Sequence, residues 1–284
     1  MNKSKLSPEF TKEWEGAIKN IKQNDRIIVI GATDSGKTSF IIASSYVLGK
    51  IAVIDMDPGQ QTFSVPTVIS SGFINNGEIE LYKSFFVGAS TPTLCLFECI
   101  CGLTLLLRSL IQNLRTSPLP IFLDTTGFIY GDQAVHYKLA KISVFSPSKI
   151  IFIEEGDEIS QLKNFITRKH CEFYTIPSYI GRKKHDQNER AEIRNEKFKI
   201  YFSNVETMKI LPEKILFSES IEEGDIVSFF KGNFTEFLGF VSGFSMDEEK
   251  KRYINVKIPE RYFLRSWDFA VKGKYNIKGV VETR

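Results

Sequence analysis

The hydrophobic positions of this chain come in short bursts that stop on small or acidic residues. The burst at 26–30 (RIIVI) runs into Gly31, that at 51–54 (IAVI) into Asp55, and PIFLD at 120–124 ends on Asp124. KIIFI follows at 149–153 and EFYTI at 172–176. Between the bursts lie segments of helical length, such as SFIIASSYVLG ending at Gly49. Short continuous apolar runs separated by helices predict strands buried on both faces, hence a parallel sheet with helices on either side. Such sheets place ligands beyond the carboxyl ends of their strands. From about residue 210 the rhythm changes to DIVSFF, EFLGFVSGF and RYINVKI, bounded by Gly, Asp, Asn and Glu-Lys clusters, which predicts a smaller all-β domain. The expected division is therefore 1–209 and 210–284, drawn on the change of period near Leu211-Pro212.

Composition narrows this without redirecting it. A chain of 284 residues, 42% hydrophobic, has enough apolar surface for one large core and one smaller. The 37 Lys+Arg against 34 Asp+Glu leave a net charge of +3, too balanced for a protein that grips nucleic acid over its whole surface. Cys95, Cys99, Cys101 and Cys171 have neither zinc-ribbon nor disulfide-scaffold spacing, which fits reduced thiols in a cytoplasm. The N-terminal residues lack the apolar core of a signal peptide, so a cytoplasmic location is expected. The greasiest stretch, 94–111, is interrupted by Glu98 and Arg108, and the apolar span between them is too short for about 30 Å of hydrocarbon. It reads as a buried helix, with no membrane partner.

The loop after the first burst carries the chemistry. Gly31-Ala32-Thr33-Asp34-Ser35-Gly36-Lys37-Thr38 satisfies G-x-x-x-x-G-K-[ST] between a predicted strand and helix. Its glycines let the backbone wrap a polyphosphate at a helix N-terminus, Lys37 reaches the β/γ-phosphates, and the Thr38 hydroxyl serves Mg²⁺. A Gly-rich turn with a chance lysine is the bland alternative, and pattern and context together disfavour it. The fold class expected is thus α/β: a P-loop NTPase parallel sheet flanked by helices, with a smaller C-terminal all-β domain. Asp55 and Asp57 follow the second burst in IAVIDMDPGQQ. Spacing alone leaves two readings open: carboxylates that hold Mg²⁺ or take a proton from an attacking hydroxyl, or a plain Asp-Pro-Gly turn.

These residues resemble the polynucleotide 5'-hydroxyl kinases related to Clp1, Grc3 and Nol9. GATDSGKTS, with Ser39 at its end, is similar to that family's phosphate loop, and DMDPGQ to its D-x-D-x-G-Q segment. The resemblance implies that Asp57 activates the 5'-hydroxyl and contributes to the metal site with Thr38, and that Asp55 and Gln60 lie on the substrate side. VGASTP resembles the stretch that clasps the nucleic-acid end, nominating Ser90 and Thr91. LDTTGFIYG resembles the N-T-x-G-W-x-x-G segment and nominates Thr125, although Asp124 stands where Asn is expected and Phe128 where Trp is.

Residues 163–199 hold ten Lys/Arg and five Asp/Glu, a local excess of +5 on a chain whose total is +3. Within it Arg190 and Arg194 lie four apart on a predicted helix, where like charges repel unless an anion lies between them. Charge alone admits a solvated helix neutralised by Asp186, Glu189 and Glu192 as readily as a phosphate grip. The segment resembles the family's lid, which implies that Arg190 and Arg194, with Arg182, close over the nucleotide.

The resemblance covers about residues 8–205 and implies a kinase that moves the γ-phosphate of ATP or GTP, with Mg²⁺, to the 5'-hydroxyl of single-stranded RNA or DNA. Two rival readings stand beside it: a P-loop GTPase or ATPase switch, suggested by the D-x-x-G-like DTTG, and a non-catalytic RNA-binding protein stabilised by nucleotide.

Overall fold

The computed structural model describes residues 12–166, 171–178 and 184–280. They form two compact units, each built from more than one stretch of chain. Arg182, the third lid candidate, lies outside the described residues.

The first unit runs to Asp57 and adds 69–82 and 96–185. Its parallel strands are β1 (Arg26–Gly31), β2 (Ile51–Asp55), β5 (Ile121–Asp124), β6 (Lys149–Glu154) and β7 (Glu172–Pro177), in the order β7-β6-β1-β5-β2. All residues of β2 and β5 are buried, as expected of strands covered on both faces. The sequence reading missed two strands. β3 (Val68–Asn75) pairs antiparallel with β2, and β4 (Glu78–Phe86) follows it through Asn76-Gly77. Both turn residues have positive φ, 48° and 78°, the backbone that a two-residue hairpin requires and that Asn-Gly tolerates best.

Four helices matter for the site. α1 (Lys12–Lys19) is fastened by Trp14, whose indole N–H donates to the Pro177 carbonyl at 3.0 Å and whose ring meets Phe40 edge-on. α2 (Lys37–Leu48) starts at the P-loop lysine. α3 (Leu96–Asn113) has the length and hydropathy of a membrane span, yet it sinks Cys99, Leu103, Leu106 and Leu110 into the core. That face bears out a packed helix, while Phe97 and Ile111 on the other side are exposed. α3 packs on α4 (Asp132–Phe145). A short α5 (Ser160–Ile166) precedes β7. No disulfide joins any of the four cysteines.

The second unit takes 58–68, 83–95 and 186–284. It begins with α6 (Gln187–Tyr201), capped by Asp186 and Glu189 in a reciprocal capping box, and continues through β8 (Val205–Ile210) and the two-residue β9 (Ile215–Leu216). β10 (Asp225–Lys231), β11 (Phe234–Met246), β12 (Arg252–Pro259) and β13 (Phe269–Asn276) complete it. β11 pairs antiparallel with both β10 and β12, and β12 with β8.

The compact units divide the chain differently from 1–209 and 210–284, the last stretch of the second unit starting at Asp186. The reason is apolar: Phe198 and Phe202 of α6 lie in one core with Val65, Val68 and Phe86 from the two inserted segments and with Ile226, Leu238, Phe240 and Ile277. The charge pattern of α6 left a solvated helix and a phosphate grip both open, and the two phenylalanines near its end fix the helix to this core. Phe198 is wholly buried, stacked on Phe202 and on Tyr275 with centroids 6.3 and 5.6 Å away. Phe198→Ala is expected to destabilise this unit by about 3–5 kcal/mol, read as a lower denaturant midpoint.

Candidate active site

The first unit brings most of the P-loop candidates together. Asp34 and Gly36 adopt positive φ, 57° and 92°, so the chain curls between β1 and α2 and presents the N-terminus of α2 at the bend. Gly31 is obligatory, since a Cβ there would lie 2.3 Å from Ser35 Oγ and 2.6 Å from the Ile153 carbonyl. Lys37 reaches back across the loop and its ammonium donates to the Ala32 carbonyl at 2.7 Å. Ser35 is buried and its hydroxyl makes no hydrogen bond. Thr33 and Ser39 are exposed. Asp34 accepts the His185 backbone N–H at 3.0 Å, which ties the loop to the segment just before α6.

Thr38 Oγ1 donates to Asp124 Oδ2 at 2.5 Å, joining the loop to the end of β5. Asp124 is 4% exposed. Burial pushes its carboxyl above the usual range, Lys37 and the Thr38 hydroxyl pull it back, and the Asp57 charge pushes it up again. The Asp57 backbone N–H donates to Asp55 Oδ1 at 2.9 Å, and the Met56 N–H to the Asp124 carbonyl at 3.0 Å. Asp55 is buried under this turn, whereas Asp57 is half-buried. The Asp-Pro-Gly segment bends away after Asp57, whose charge is felt by Asp124.

Asp124 was singled out in the sequence only as a departure from a resemblance. Its signal was present, an apolar strand ending in Asp, the pattern by which P-loop NTPases supply a carboxylate to the metal. The turn after it fits against the P-loop: a Cβ on Gly127 would lie 2.1 Å from Thr33 Oγ1 and 2.4 Å from its backbone nitrogen. Thr125 is buried and its hydroxyl donates to the Val29 carbonyl at 2.7 Å, which makes it a floor residue holding this turn to β1.

Two further residues were missed. Lys138 and Lys141, one turn apart on α4, are both wholly buried, and Lys138 Nζ donates to the Thr126 carbonyl at 2.5 Å. Burial pushes both ammonium groups down, Lys141 to about 8. Their spacing on the face of Ala134 and Phe145 was the available signal, lysines at positions where a core helix takes apolar residues.

The remaining candidates belong to the second unit. Gln60 and Ser90 are half-buried, and the exposed Thr91 caps a turn whose carbonyl receives the Leu94 N–H at 3.1 Å and the Cys95 thiol at 3.4 Å. Lys197 donates to the carbonyl of Gln61, beside Gln60. Arg190 and Arg194 lie on α6, both half-buried, and Arg194 Nε is buried without a hydrogen-bond partner.

The residues present suit the ligands that a P-loop implies. A buried hydroxyl without a bond, a lysine crossing the loop and a helix N-terminus form a cradle for phosphates. The Thr38–Asp124 oxygens are hard donors of the kind Mg²⁺ takes. Among the described residues no three His, Cys, Asp or Glu side chains form a metal-binding group of their own.

Comparison with known proteins places this geometry. The profile described as mRNA cleavage and polyadenylation factor CLP1 P-loop matches residues 31–204. A polyribonucleotide 5'-hydroxyl-kinase of Methanocaldococcus jannaschii is 36% identical over 206 residues, 69% of this chain and 55% of that protein. One of Pyrococcus furiosus is 29% identical over 76% of this chain and 62% of its own length. The chain thus matches little more than half the length of these curated relatives. The solved Clp1p–Pcf11p complex superposes with a TM-score of 0.70 at 13% identity, over 93% of this chain and 77% of that one, a likeness of fold. With a matched profile that spans most of the sequence and the phosphate loop in the expected strand-to-helix setting, the chain belongs to the CLP1 P-loop family.

Proposed function

We propose that the protein is a polynucleotide 5'-hydroxyl kinase, transferring the γ-phosphate of ATP or GTP to the 5'-hydroxyl of RNA or DNA. The observation that carries this reading is the convergence of Thr38, Asp124 and Asp57 beside the P-loop, because it pairs a metal-type oxygen set with a second, less buried carboxylate. Its relatives' names, polyribonucleotide 5'-hydroxyl-kinases of M. jannaschii and P. furiosus, support it.

The triphosphate supplies the transferable phosphoryl group, and Mg²⁺ would neutralise its oxygens. Lys37 would leave the Ala32 carbonyl for the β/γ-phosphates, and Thr38 with Asp124 would hold the cation, Asp57 bordering the same set. Asp57 would orient the strand's 5'-hydroxyl and take its proton as the hydroxyl oxygen bonds to phosphorus and the bond to the diphosphate breaks. Arg190 and Arg194 are the proposed lid, supported by their spacing and by the uncompensated Arg194 Nε. Ser90, Thr91, Gln60 and Arg182 are the proposed contacts to the nucleic-acid end.

Incubation with γ-³²P-labelled ATP or GTP and matched 5'-hydroxyl RNA and DNA oligonucleotides tests the reading. Label is expected on the oligonucleotide. Free phosphate as the sole product would favour a switch-type nucleotidase, and RNA binding without turnover a non-catalytic role.

A further inference from the structure

Lys138 has no place in the reading above, and a wholly buried lysine is a costly feature to keep. Its ammonium lies under the turn that walls the P-loop, donating to the Thr126 carbonyl at 2.5 Å. The next residue, Gly127, is the one whose missing Cβ lets the turn lie against Thr33. A continuous path of contacts therefore runs from α4 through the turn to the phosphate loop.

The charges that act on Lys138 come from several elements. Lys141 lies on the same helix, Lys37 at the start of α2, Asp124 at the end of β5 and Asp57 after β2. Lys141 in turn senses Cys99 of α3 and Asp55 of β2, and its ammonium has no hydrogen-bond acceptor, resting 3.9 Å from the centre of the Tyr137 ring. Lys37, Lys138 and Lys141 thus stand within electrostatic reach of Asp55 and Asp124, both buried, and of the half-buried Asp57. A neutral fold would be served as well by fewer of each, since a buried ion pair contributes little net stability over apolar side chains of the same size. A polyphosphate changes that balance, because it brings several negative charges to a site where the lysines are already fixed.

We propose that Lys138 is a positioning residue for the polyphosphate: anchored to the Thr126 carbonyl, it fixes the 125–127 turn against Thr33 and supplies a buried positive charge to the triphosphate end of the cradle. The inference rests on the nucleotide-binding part of the proposed function and not on the identity of the phosphate acceptor. It predicts an uneven effect on ligands, since the charge acts on the outer phosphates and a monophosphate lacks them.

Titration calorimetry on the full chain with ATP and with AMP, with and without Mg²⁺, compares wild type with Lys138→Met and Lys138→Gln. Lys138→Met is expected to weaken ATP about 10-fold or more while changing AMP by less than about 3-fold. Its melting temperature without ligand is expected to fall, because the Thr126 carbonyl loses its buried donor and the aspartates a counter-charge, so the ratio of the two affinities carries the test. Lys138→Gln retains a donor for the Thr126 carbonyl and is expected to lose the same preference for ATP, which separates charge from hydrogen bond. An unchanged ATP-to-AMP ratio in both variants overturns the proposal, whether or not both affinities fall. Transfer of label to an oligonucleotide by the wild-type chain is scored separately, so a failed kinase reading and a failed Lys138 assignment give different results.

Discussion

Replacing Asp57 by asparagine is expected to slow phosphoryl transfer by about 100- to 10,000-fold while leaving ATP affinity within about threefold. Asparagine keeps the shape of the side chain, and the backbone N–H that bonds to Asp55 Oδ1 is untouched by the change. What goes is the carboxylate, the group that would accept the proton of the attacking hydroxyl. Asp124 should titrate lower in the variant, because the Asp57 charge that pushes it up has been removed. Single-turnover transfer at saturating nucleotide measures the rate without interference from product release. Equal rates for the variant and wild type would remove Asp57 from the role of base and leave the proton without an acceptor among the residues named.

Gly127→Ala is expected to slow transfer about 100-fold, because a displacement of about 1 Å in a positioned group costs that much, and to weaken ATP binding as well. The added methyl would lie 2.4 Å from the Thr33 nitrogen and 2.5 Å from its Cα. Those atoms are backbone and cannot swing aside as a flexible side chain would, so the loop itself has to move. Gly16→Ala on α1 is the matched control, since a methyl there meets nothing within 4 Å. Fluorescence titration with a labelled nucleotide reads the difference. Normal affinity in Gly127→Ala would mean that the turn and the loop separate freely, and the contact through Gly127 would lose its importance.

What could be read from the sequence followed the strength of each physical signal. The parallel strands β1, β2, β5 and β6 were legible because burial on both faces leaves continuous apolar runs, whereas β7 buries only Ile176, and the phosphate loop was legible because its glycines and lysine have few other uses. β3 and β4 were harder: β4 is exposed along its first half and shows no apolar run, so only the Asn76-Gly77 turn announced the hairpin. Asp124 was visible as the last residue of a strand, but its bond to Thr38 joins residues 86 apart and no local pattern encodes that. Lys138 and Lys141 were hidden for the opposite reason, because lysine on a helix ordinarily signifies solvent. The start of the last stretch at Asp186 was hidden because α6 is polar over most of its length and carries Phe198 and Tyr201, with Phe202 just beyond, only at its end.

The patchwork origin of the second unit bears on how the protein is made. Val65, Val68 and Phe86 leave the ribosome more than a hundred residues before Phe198 and Phe202, and still earlier than Ile277, yet all share one core. During synthesis the early segments must wait, apolar and uncovered, until nearly the whole chain has emerged. Trimming the gene at residue 185 would strand them permanently, so the unit can be neither excised nor grafted by a single cut. Nascent-chain proteolysis should find 58–68 and 83–95 cleavable until translation is almost complete.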